Sequence, residues 1–471
     1  MQPSQYQKNI YNFVEKSSGH GIVQGVAGCG KTTTNIQALD HVDVFASSVF
    51  LAFNKHIATE LKSRGVNSAR TFHSLGRANI VSALPDIKDN FNQYKVFDIL
   101  DKLNVNQDNK PTIASLVSLM KSNLSDGSLS QINQLIEVSS SLNIDVSQQS
   151  KFAAIAQKAF EQCNQDHTQY DFDDMIYWSA TGIVPCQQFD FIFVDEAQDL
   201  NKAQITMAEK TCVGRMLIIG DPWQSIYAFR GAFVGIMDYM QQKLDATQLP
   251  LSISYRAPMS VVELVNQRFP NIKFEAWEQA KEGMIISTDN SCMLDHIQPG
   301  DGAICRTNAP LIKPCFELIR QGVKATILGR DIGRGLVSLI KRREKLKRTT
   351  DLPQLIKELY IYFDNEKAKL EKINAQNRIN TLQDQIDTIV AISDGCITIP
   401  ELKLKIEATF NDNAEGVVFS SIHKAKGLEW DRVWIIKPSL MPHPMSNDIQ
   451  QERNIEYVAI TRTKNELYFV A

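Results

Sequence analysis

The sequence lacks a C-x-x-C pair, a long apolar run and an excess of charge of either sign. Its eight cysteines are scattered, which argues against a zinc ribbon, an iron–sulfur site or a disulfide framework and favours a reducing compartment. No apolar run approaches the roughly 18 residues that a membrane span requires. The first residues also lack the charged-then-apolar order of a signal peptide. We therefore expect a cytoplasmic protein with no membrane partner.

The length of 471 residues allows about three domain-sized units. The composition, 43% hydrophobic and 22% charged, is typical of a globular protein, and we find no low-complexity linker or solenoid repeat. Fifty Lys and Arg residues against 53 Asp and Glu residues give a net charge of -3. Any surface that binds nucleic acid must therefore be a local patch.

Short apolar runs bounded by turn residues recur near both ends of the chain. Each has the length of a strand that is buried on both faces of a parallel sheet. They occupy residues 22–23, 49–53, 191–194, 216–219, 303–305, 417–419 and 433–436. Because helical stretches separate these runs, βαβ units with right-handed crossovers are the simplest interpretation. The sequence thus predicts an α/β protein with two parallel-sheet lobes.

Two polar segments rich in Asn, Gln and Lys interrupt this alternation and are predicted to be helical. In the second segment, Ile379, Leu382, Ile386 and Ile389 follow a spacing that places them on one helix face. We interpret both segments as helical insertions, and a separate helical middle domain is the alternative. The predicted division is residues 1–76 and 166–249 for the first lobe, 77–165 for its insertion, 250–331 and 412–471 for the second lobe, and 332–411 for its small insertion.

A glycine-rich stretch, Gly25-Val-Ala-Gly28-Cys-Gly30-Lys31-Thr32, matches the P-loop pattern G-x-x-x-x-G-K-[ST]. It follows a predicted strand and opens a predicted helix, which is the context that this motif requires. Glycines allow backbone N–H groups to turn toward phosphate oxygens, and the helix N-terminus adds a favourable dipole. We expect Lys31 to reach the β- and γ-phosphates of ATP and Thr32 to bind Mg²⁺.

An acidic pair, Asp195-Glu196, follows the apolar run at residues 191–194. Such a pair alone is a weak signal, because acidic residues often cap the next helix. Together with a P-loop it completes a phosphoryl-transfer site. We expect Asp195 to hold the magnesium ion and Glu196 to polarise the attacking water.

The stretches at residues 195–199 (DEAQD) and 220–232 (GDPWQSIYAFRGA) resemble those of superfamily 1 helicases of the UvrD/Rep/PcrA type. Other segments resemble further motifs of this family in the family's order: 53–55, 71–75, 171–174, 254–256, 306–308, 423–429 and 457–462. The resemblance spans Gln5 to Arg462. It implies two RecA-like lobes, the first carrying the P-loop and each carrying a mainly helical insertion, and an ATP-dependent DNA helicase.

The resemblance also implies roles at the nucleotide site. It assigns adenine recognition to Gln5, with Gln7 as an alternative, adenine stacking to Tyr255, nucleotide binding to Glu429, a sensor role to Gln224, and contacts with the γ-phosphate from the second lobe to Arg256 and Arg462. A planar guanidinium suits the γ-phosphate, although a structural salt bridge would otherwise be the simpler role for either arginine. Thr33 stands where the family usually has an arginine that helps to sandwich adenine, so base selectivity is expected to be relaxed.

Single-stranded DNA is the expected track. Tyr227 and Phe229, beside Arg230, would stack on bases, although an isolated aromatic pair more often belongs to a core. The family positions Phe53, Asn54, His73, Asn308 and His423 are expected to line the same channel. RNA stays open as an alternative, because stacking and phosphate contacts serve either sugar. Contacts with phosphates predict an affinity that falls with salt.

The densest basic run lies at residues 341–348 (KRREKLKR). It would either contact duplex ahead of the junction or form a solvated helix face. The segment between Asp331 and Ala414 is short for the family, which indicates a compact form. Because the chain ends soon after Arg462, we expect no nuclease activity.

The resemblance implies a 3′–5′ translocase that separates duplex DNA, acting on single strands and junctions as a monomer or with weak self-association, and leaves the pathway open, with replication and repair among the candidates. The direction comes from the resemblance alone. One alternative is a DNA-stimulated ATPase switch that senses single strands or ends in a repair or defence assembly. Another is an ATPase unrelated to DNA. Nothing in the sequence indicates a protein partner.

Overall fold

The computed structural model describes residues 2–139, 142, 144–227, 235–347, 349–372, 375–412, 415–444, 446 and 448–471. The chain divides into two compact units, Met1–Ile253 and Ser254–Ala471. Within the described residues, no helix is both long and apolar enough to cross a membrane.

A six-stranded sheet, in which all neighbouring strands are parallel, forms the centre of the first unit. Its strands are β1 (Gly21–Gly25), β2 (Ser48–Ala52), β3 (Ala69–Thr71), β4 (Phe189–Val194), β5 (Cys212–Gly220) and β6 (Thr247–Leu251). Their order in the sheet is β3-β2-β4-β5-β1-β6. The four apolar runs predicted as strands in this half of the chain supply the four central strands, as expected for strands covered on both faces.

The helices of the first unit fall into two groups. Around the sheet lie α1 (Gln5–Lys16), α2 (Lys31–Leu39), α3 (Lys55–Ser63), α10 (Lys202–Thr211) and α11 (Ile236–Lys243). Between β3 and β4 lie α4 (Phe72–Ala83), α5 (Lys95–Lys102), α6 (Lys110–Ser122), α7 (Leu129–Val138), α8 (Gln149–Gln165) and α9 (Phe172–Thr181). The second group has its own apolar core, but Phe72 of α4 and Ile176 of α9 belong to the core of the sheet. Thus α4 and α9 join the helical segment to the sheet.

A buried cluster of charges fixes the first turn of α9. Nζ of Lys95 lies 2.8 Å from Asp174, and Nζ of Lys121 lies 3.0 Å from Asp171 and 2.8 Å from Asp174. Asp171 and Asp174 also cap the helix reciprocally. Buried carboxylates need such partners. The cluster therefore holds the turn that carries Phe172 in one conformation.

The second unit is built on a seven-stranded sheet whose neighbouring strands are again all parallel. A separate two-stranded sheet pairs β7 (Ile253–Ser254) with β8 (Glu275–Ala276). The large sheet contains β9 (Met284–Thr288), β10 (Gly302–Cys305), β11 (Ala325–Leu328), β12 (Phe410–Asn411), β13 (Val417–Ser421), β14 (Trp430–Ile436) and β15 (Thr463–Val470), in the order β12-β11-β13-β10-β14-β15-β9. The three predicted runs of this half form the central strands β13, β10 and β14, so the predicted α/β class with two parallel sheets is confirmed.

The helices of the second unit are α12 (Met259–Arg268), α13 (Asn290–His296), α14 (Ala309–Arg320), α15 (Arg330–Lys347), α16 (Leu352–Lys372), α17 (Gln376–Ser393), α18 (Ile399–Thr409), α19 (Ile422–Ala425) and α20 (Ile449–Ile460). Helices α15–α18 lie between β11 and β12, and α17 packs against α14. The predicted apolar face of α17 is confirmed, since Ile379, Leu382, Ile386 and Ile389 are all buried. The exact domain boundaries stay a prediction.

Candidate nucleotide and nucleic-acid sites

The carboxyl ends of three adjacent strands bring the nucleotide-site motifs of the first unit together. In the order β4-β5-β1, β4 is followed by Asp195, β5 by Asp221, and β1 by the glycine-rich loop that enters α2. Because the strands are parallel, these ends share one edge of the sheet, where ligands bind in open α/β sheets. Motifs far apart in the sequence therefore converge.

The glycine-rich loop needs its glycines for conformation and for space. Gly28 and Gly30 have φ angles of 74° and 77°, in the left-handed region. A Cβ atom at Gly25 would lie 2.9 Å from Sγ of Cys29 and 2.9 Å from Cγ of Lys31. Gly30 offers no side-chain cap to α2, so the N–H groups of its first turn face the loop as donors for an anion.

Lys31 is buried among acidic side chains. Burial alone would lower its pKa, but the negative charges of Glu196, Asp221 and Asp195 hold the pKa above its ordinary value. Burial and the charge of Glu196 raise the pKa of Asp195 to about 7 against the opposing effect of Lys31. Burial also raises the pKa of Asp221. This edge of the sheet therefore carries the positive charge of Lys31 beside Asp195 and Asp221, whose ionised forms a further cation would stabilise.

Thr32 and Asp195 have the chemistry of a magnesium site. Oγ1 of Thr32 donates a hydrogen bond of 3.2 Å to Oδ2 of Asp195. Mg²⁺ prefers hydroxyl, carboxylate and phosphate oxygens. These two residues, predicted as metal ligands, thus lie close enough together to fit one ion.

A chain of hydrogen bonds orders the acidic loop beyond β4. Glu196 has a φ of 50°, and its N–H donates to Oδ1 of Asp195 at 3.0 Å. Nε2 of Gln198 donates to Oε2 of Glu196 at 2.5 Å, and Oε1 of Gln198 accepts from N of Asp221 at 3.0 Å. Nε2 of the buried Gln224 donates to Oδ2 of Asp221 at 2.8 Å. The predicted sensor Gln224 is therefore linked to Glu196 through Asp221 and Gln198.

The two glutamines considered for adenine recognition have different surroundings. Gln5 is exposed, and its amide bonds to Asn9 at 2.8 Å. Gln7 is buried, and its Nε2 donates to Oγ1 of Thr34 at 3.0 Å. Oγ1 of Thr34 in turn donates to the carbonyl of Gly30 at 3.0 Å. Of the two, Gln7 is the one that lies against the P-loop helix.

A guanidinium group lies beside Thr33, although the P-loop itself lacks the arginine usual in the family. Nη2 of Arg64, at the C-terminal end of α3, donates to Oγ1 of Thr33 at 3.0 Å. The two residues are 31 positions apart in the sequence. Arg64 thus brings a cation to the position where the motif shows none.

In the second unit, Glu429 binds two cations. Nε of Arg256 lies 2.5 Å from Oε2 of Glu429, and Nζ of Lys464 lies 2.8 Å from Oε1. Burial alone would raise the pKa of Glu429, but the Lys464 hydrogen bond and the charge of Arg256 hold it below its ordinary value. Arg256 is therefore oriented by a carboxylate that stays ionised. The ring of the adjacent Tyr255 lies 6.0 Å from that of Trp277.

Arg462 is 2% exposed, and its guanidinium donates hydrogen bonds to groups within the second unit. Its Nε donates to the carbonyl of Val458 at 2.9 Å, its Nη1 to the carbonyl of Leu428 at 3.3 Å, and its Nη2 to Oγ1 of Thr461 at 3.2 Å. The guanidinium is thus held at the C-terminal end of α20, and its role at the γ-phosphate stays a prediction.

His73 belongs to a row of aromatic rings on the first unit. Its ring lies 6.2 Å from that of Phe172, and Phe172 lies 4.8 Å from Phe91. Phe172 is 52% exposed and Phe91 37% exposed. Burial lowers the pKa of His73, so the imidazole is neutral at pH 7. The row therefore offers exposed, uncharged ring surface.

The other residues predicted to contact DNA have varied surroundings. Phe53 packs partly against the core of the sheet, and exposed Asn54 caps α3 by accepting from N of Ile57 at 2.9 Å. Tyr227 and His423 are half-buried. Asn308 lies at the N-terminus of α14 and bonds to Asp384 of α17. Phe229 and Arg230 lie outside the described residues.

Helix α15 presents a basic face. Its exposed cations are Arg330, Arg334, Lys341 and Lys345. Their spacing places them within about 60° of one another around the helix and along about 22 Å of its length. Part of the predicted basic run is not on this face, because Arg343 is buried over the ring of Tyr362 at 3.9 Å. The exposed face thus extends toward the start of the helix, beyond the run noted in the sequence.

Two family models match the chain. The model of the UvrD/REP helicase N-terminal domain matches residues 6–245, just over half of the chain. The chain belongs to the UvrD/REP helicase family. The model of the UvrD-like helicase C-terminal domain matches residues 416–470. The family inferred from the motifs is therefore confirmed.

Relatives within the UvrD/REP family are distant and longer. ATP-dependent DNA helicase UvrD2 of Mycobacterium tuberculosis is 24% identical over 360 residues, covering 64% of this chain and 51% of that protein. Putative ATP-dependent DNA helicase YjcD of Bacillus subtilis is 22% identical over 426 residues, with coverages of 66% and 56%. ATP-dependent DNA helicase PcrA of Leuconostoc citreum is 26% identical over 295 residues, with coverages of 54% and 37%. The chain spans about half the length of UvrD2 and YjcD.

Sequence reasoning gave no role to several residues that this UvrD/REP-type chain places at the sites. Gln198 and Asp221 lie within the motif-like stretches 195–199 and 220–232. An acidic residue after an apolar strand identifies Asp195, and the same signal identifies Asp221. Phe172 stands inside the acidic motif at 171–174, where an aromatic residue between carboxylates was the available signal. Arg64 carries no local signal, since only the tertiary contact with Thr33 reveals it.

Proposed function

We propose that the chain is an ATP-dependent DNA helicase that hydrolyses ATP to ADP and phosphate and moves 3′ to 5′ along single-stranded DNA. The observation that carries this proposal is the convergence of Lys31, Thr32, Asp195 and Glu196 at one edge of a parallel sheet in a member of the UvrD/REP family. The direction rests on the family resemblance. The similarity to relatives named ATP-dependent DNA helicases supports the activity.

The proposed chemistry is transfer of the γ-phosphoryl group to water by positioning and electrostatics. Lys31 and the glycine-rich loop hold the phosphates, while Glu196, held by Gln198, orients the water. Thr32 and Asp195 would hold Mg²⁺, which when bound neutralises charge on the phosphate oxygens. No covalent intermediate is required in this scheme.

We assign the second unit a role toward the same nucleotide. Arg256 and Arg462 neutralise the γ-phosphate, Tyr255 stacks on the base, and Glu429 keeps Arg256 oriented. Arg462 would exchange its carbonyl contacts for phosphate oxygens, which is a favourable exchange for a guanidinium. We assign adenine recognition to Gln7 rather than Gln5, because Gln7 contacts the P-loop helix through Thr34.

The proposed track begins with the ring row of His73, Phe172 and Phe91. Bases stack on aromatic side chains without sequence preference, at about 1–3 kcal/mol per base. Tyr227, with Phe229 and Arg230, and the family positions Phe53, Asn54, Asn308 and His423 are assigned to the same track. The exposed rings next to His73 support this assignment.

We assign the basic face of α15 to duplex at the junction. The helix contains no aromatic residue, so it offers cations for phosphates and no aromatic ring on which bases could stack. The helix places its cation-bearing residues in a straight row, which suits the regularly spaced phosphates of a duplex. A purely solvated helix face is the alternative.

We also propose that residues 77–165, which contain α5–α8, and residues 332–411, which contain most of α15 and all of α16–α18, are insertions into two RecA-like lobes. Along the chain, the first set of helices lies between β3 and β4 and the second between β11 and β12, which supports this division.

Strand displacement on tailed duplexes tests the function. We expect ATP-dependent displacement from a 3′-tailed duplex but not from a 5′-tailed one, and loss of both displacement and phosphate release in Lys31→Ala. Stimulation of ATPase by DNA without displacement on either substrate would support the switch instead. Unchanged ATP hydrolysis on adding single-stranded DNA would support an ATPase unrelated to DNA, and RNA tails tested in parallel decide the sugar preference.

A further inference from the structure

A carboxylate from α17 binds the residue that precedes α14. Oδ1 and Oδ2 of Asp384 accept from N of Asn308 at 3.0 Å and 3.2 Å. Oδ2 also accepts from Nδ2 of Asn308 at 3.0 Å, and Oδ1 accepts from N of Ala309 at 3.1 Å. One side chain, 76 residues away in the sequence, thus receives backbone and side-chain hydrogen bonds from Asn308.

This contact replaces the cap that α14 does not make for itself. Asn308 is the N-cap residue, but its side chain makes no capping hydrogen bond. The first N–H groups of a helix need acceptors, and a negative charge at this end is favoured by the helix dipole. Asp384 supplies both from another helix.

The same contact decides how the Asn308 amide is turned. With Nδ2 directed to Asp384, Oδ1 of Asn308 is buried and has no hydrogen-bond partner within the part of the chain that the structure describes. An unpartnered buried acceptor is costly. The orientation is therefore imposed by Asp384 and not by the needs of Asn308 alone.

Arg306, two residues before Asn308, is held from another side. Its Nε and Nη2 donate to the two carboxylate oxygens of Glu452 at 2.9 Å and 2.7 Å. Glu452 also accepts from N of His443 at 3.0 Å, and the His443 ring lies 3.4 Å from Nδ2 of Asn380. Asn380 is on α17, one turn before Asp384. Two sets of contacts thus connect residues 306–308 to α17. Asn308 bonds directly to Asp384, and Arg306 is linked to Asn380 through Glu452 and His443.

We propose that Asp384 is a positioning residue for nucleic-acid binding, which holds Asn308 in the orientation that grips the strand. Helix α17 lies within the second helical segment, α15–α18, and through Asp384 it would control how Asn308, which is outside that segment, binds nucleic acid. The proposal rests on the proposed role of Asn308 in binding DNA.

Kinetic measurements on Asp384 variants test this proposal. The concentration of oligo-dT that half-saturates ATPase stimulation is compared for wild type, Asp384→Ala and Asp384→Asn. We expect Asp384→Ala to raise it by about tenfold, the size of one charge-assisted hydrogen bond, with less than a twofold change in kcat at saturating DNA. Asp384→Asn, which keeps an acceptor oxygen but no charge, should fall in between.

Asp387→Ala is the matched control, because Asp387 lies one turn further along α17 and bonds to Gln383, not to Asn308. We expect its half-saturating concentration to equal that of wild type. Thermal unfolding of each variant accompanies the kinetics. If Asp384→Ala does not fold, Asp384→Asn decides the outcome. An unchanged half-saturating concentration in the folded Asp384 variants would overturn the proposal.

Asn308→Ala and the double variant separate this proposal from the function on which it rests. If Asn308→Ala leaves DNA binding unchanged, the role of Asn308 is wrong and the positioning role fails with it. If Asn308→Ala weakens binding and the Asp384 variants do not, only the positioning role fails. A double variant no weaker than Asn308→Ala supports positioning, whereas multiplied effects show that Asp384 acts independently.

Discussion

The carboxylate of Glu196 accepts a 2.5 Å hydrogen bond from Nε2 of Gln198. The other end of the Gln198 amide accepts from N of Asp221. A Cβ atom at Gly220 would lie 2.6 Å from Oε1 of Gln198, so the amide has little room to move. Glu196 is therefore held in a defined position by a side chain that is itself packed in place.

We predict that Gln198→Ala lowers kcat for ATP hydrolysis by about tenfold to a hundredfold, because a displaced Glu196 no longer orients the water. The KM for ATP should change little, since Gln198 does not contact the residues of the glycine-rich loop in the hydrogen bonds described above. Steady-state phosphate release measures both constants. Gln188→Ala, which removes an exposed amide from the same unit, is the control, and an unchanged kcat in Gln198→Ala would contradict the role.

Phe172→Ala is expected to weaken binding of single-stranded DNA by about 1–3 kcal/mol, the value of one stacked base. Fluorescence anisotropy with labelled oligo-dT measures this change. Phe45→Ala provides a control, because Phe45 is an exposed phenylalanine in the loop between α2 and β2. Equal losses in both variants would show that general hydrophobic exposure, and not the ring row, is responsible.

Charge reversal on α15 should affect junctions more than single strands. We predict that Arg334→Glu combined with Lys341→Glu lowers the affinity for a tailed duplex and reduces the slope of log K against log salt by about one per lost phosphate contact. Affinity for oligo-dT should stay within about twofold. Lys273→Glu combined with Lys313→Glu, which changes the net charge by the same amount, serves as the charge-matched control, since both lysines are exposed and neither lies on α15. Parallel losses on both substrates would refute a duplex-specific contact.

His73 gives a pH-dependent contribution to stability with a defined sign. Burial lowers the pKa of its imidazole below 6.5, so the unfolded chain binds a proton more readily than the folded chain. The free energy of unfolding should therefore decrease as the pH falls below 6.5, and His73→Phe should remove this part of the decrease. Urea unfolding of both proteins at pH 7 and pH 5 measures the difference. A variant that loses as much stability as wild type would contradict it.

The most central strands of each sheet could be predicted from the sequence, whereas the edge strands and the interior strands β11 and β15 next to them could not. Runs such as residues 191–194 and 433–436 are apolar because both faces of a central strand are covered. By contrast, β6 (Thr247–Leu251) is an edge strand that contains Pro250, and β9 is one of the two edge strands of the other sheet and has exposed side chains. Edge strands form through backbone pairing with a neighbour, so no apolar run marks them.

The glycine-rich loop, the Asp195-Glu196 pair and the family could be recognised without a structure, because each depends on residues that are close together in the chain. Three contacts became visible only in the folded chain: Gln7 with the P-loop helix, Arg64 with Thr33, and Asp384 with Asn308. These contacts join residues from different helices, whose approach depends on how buried faces pack. A polar residue on a half-exposed helix face has no local pattern that reveals its distant partner.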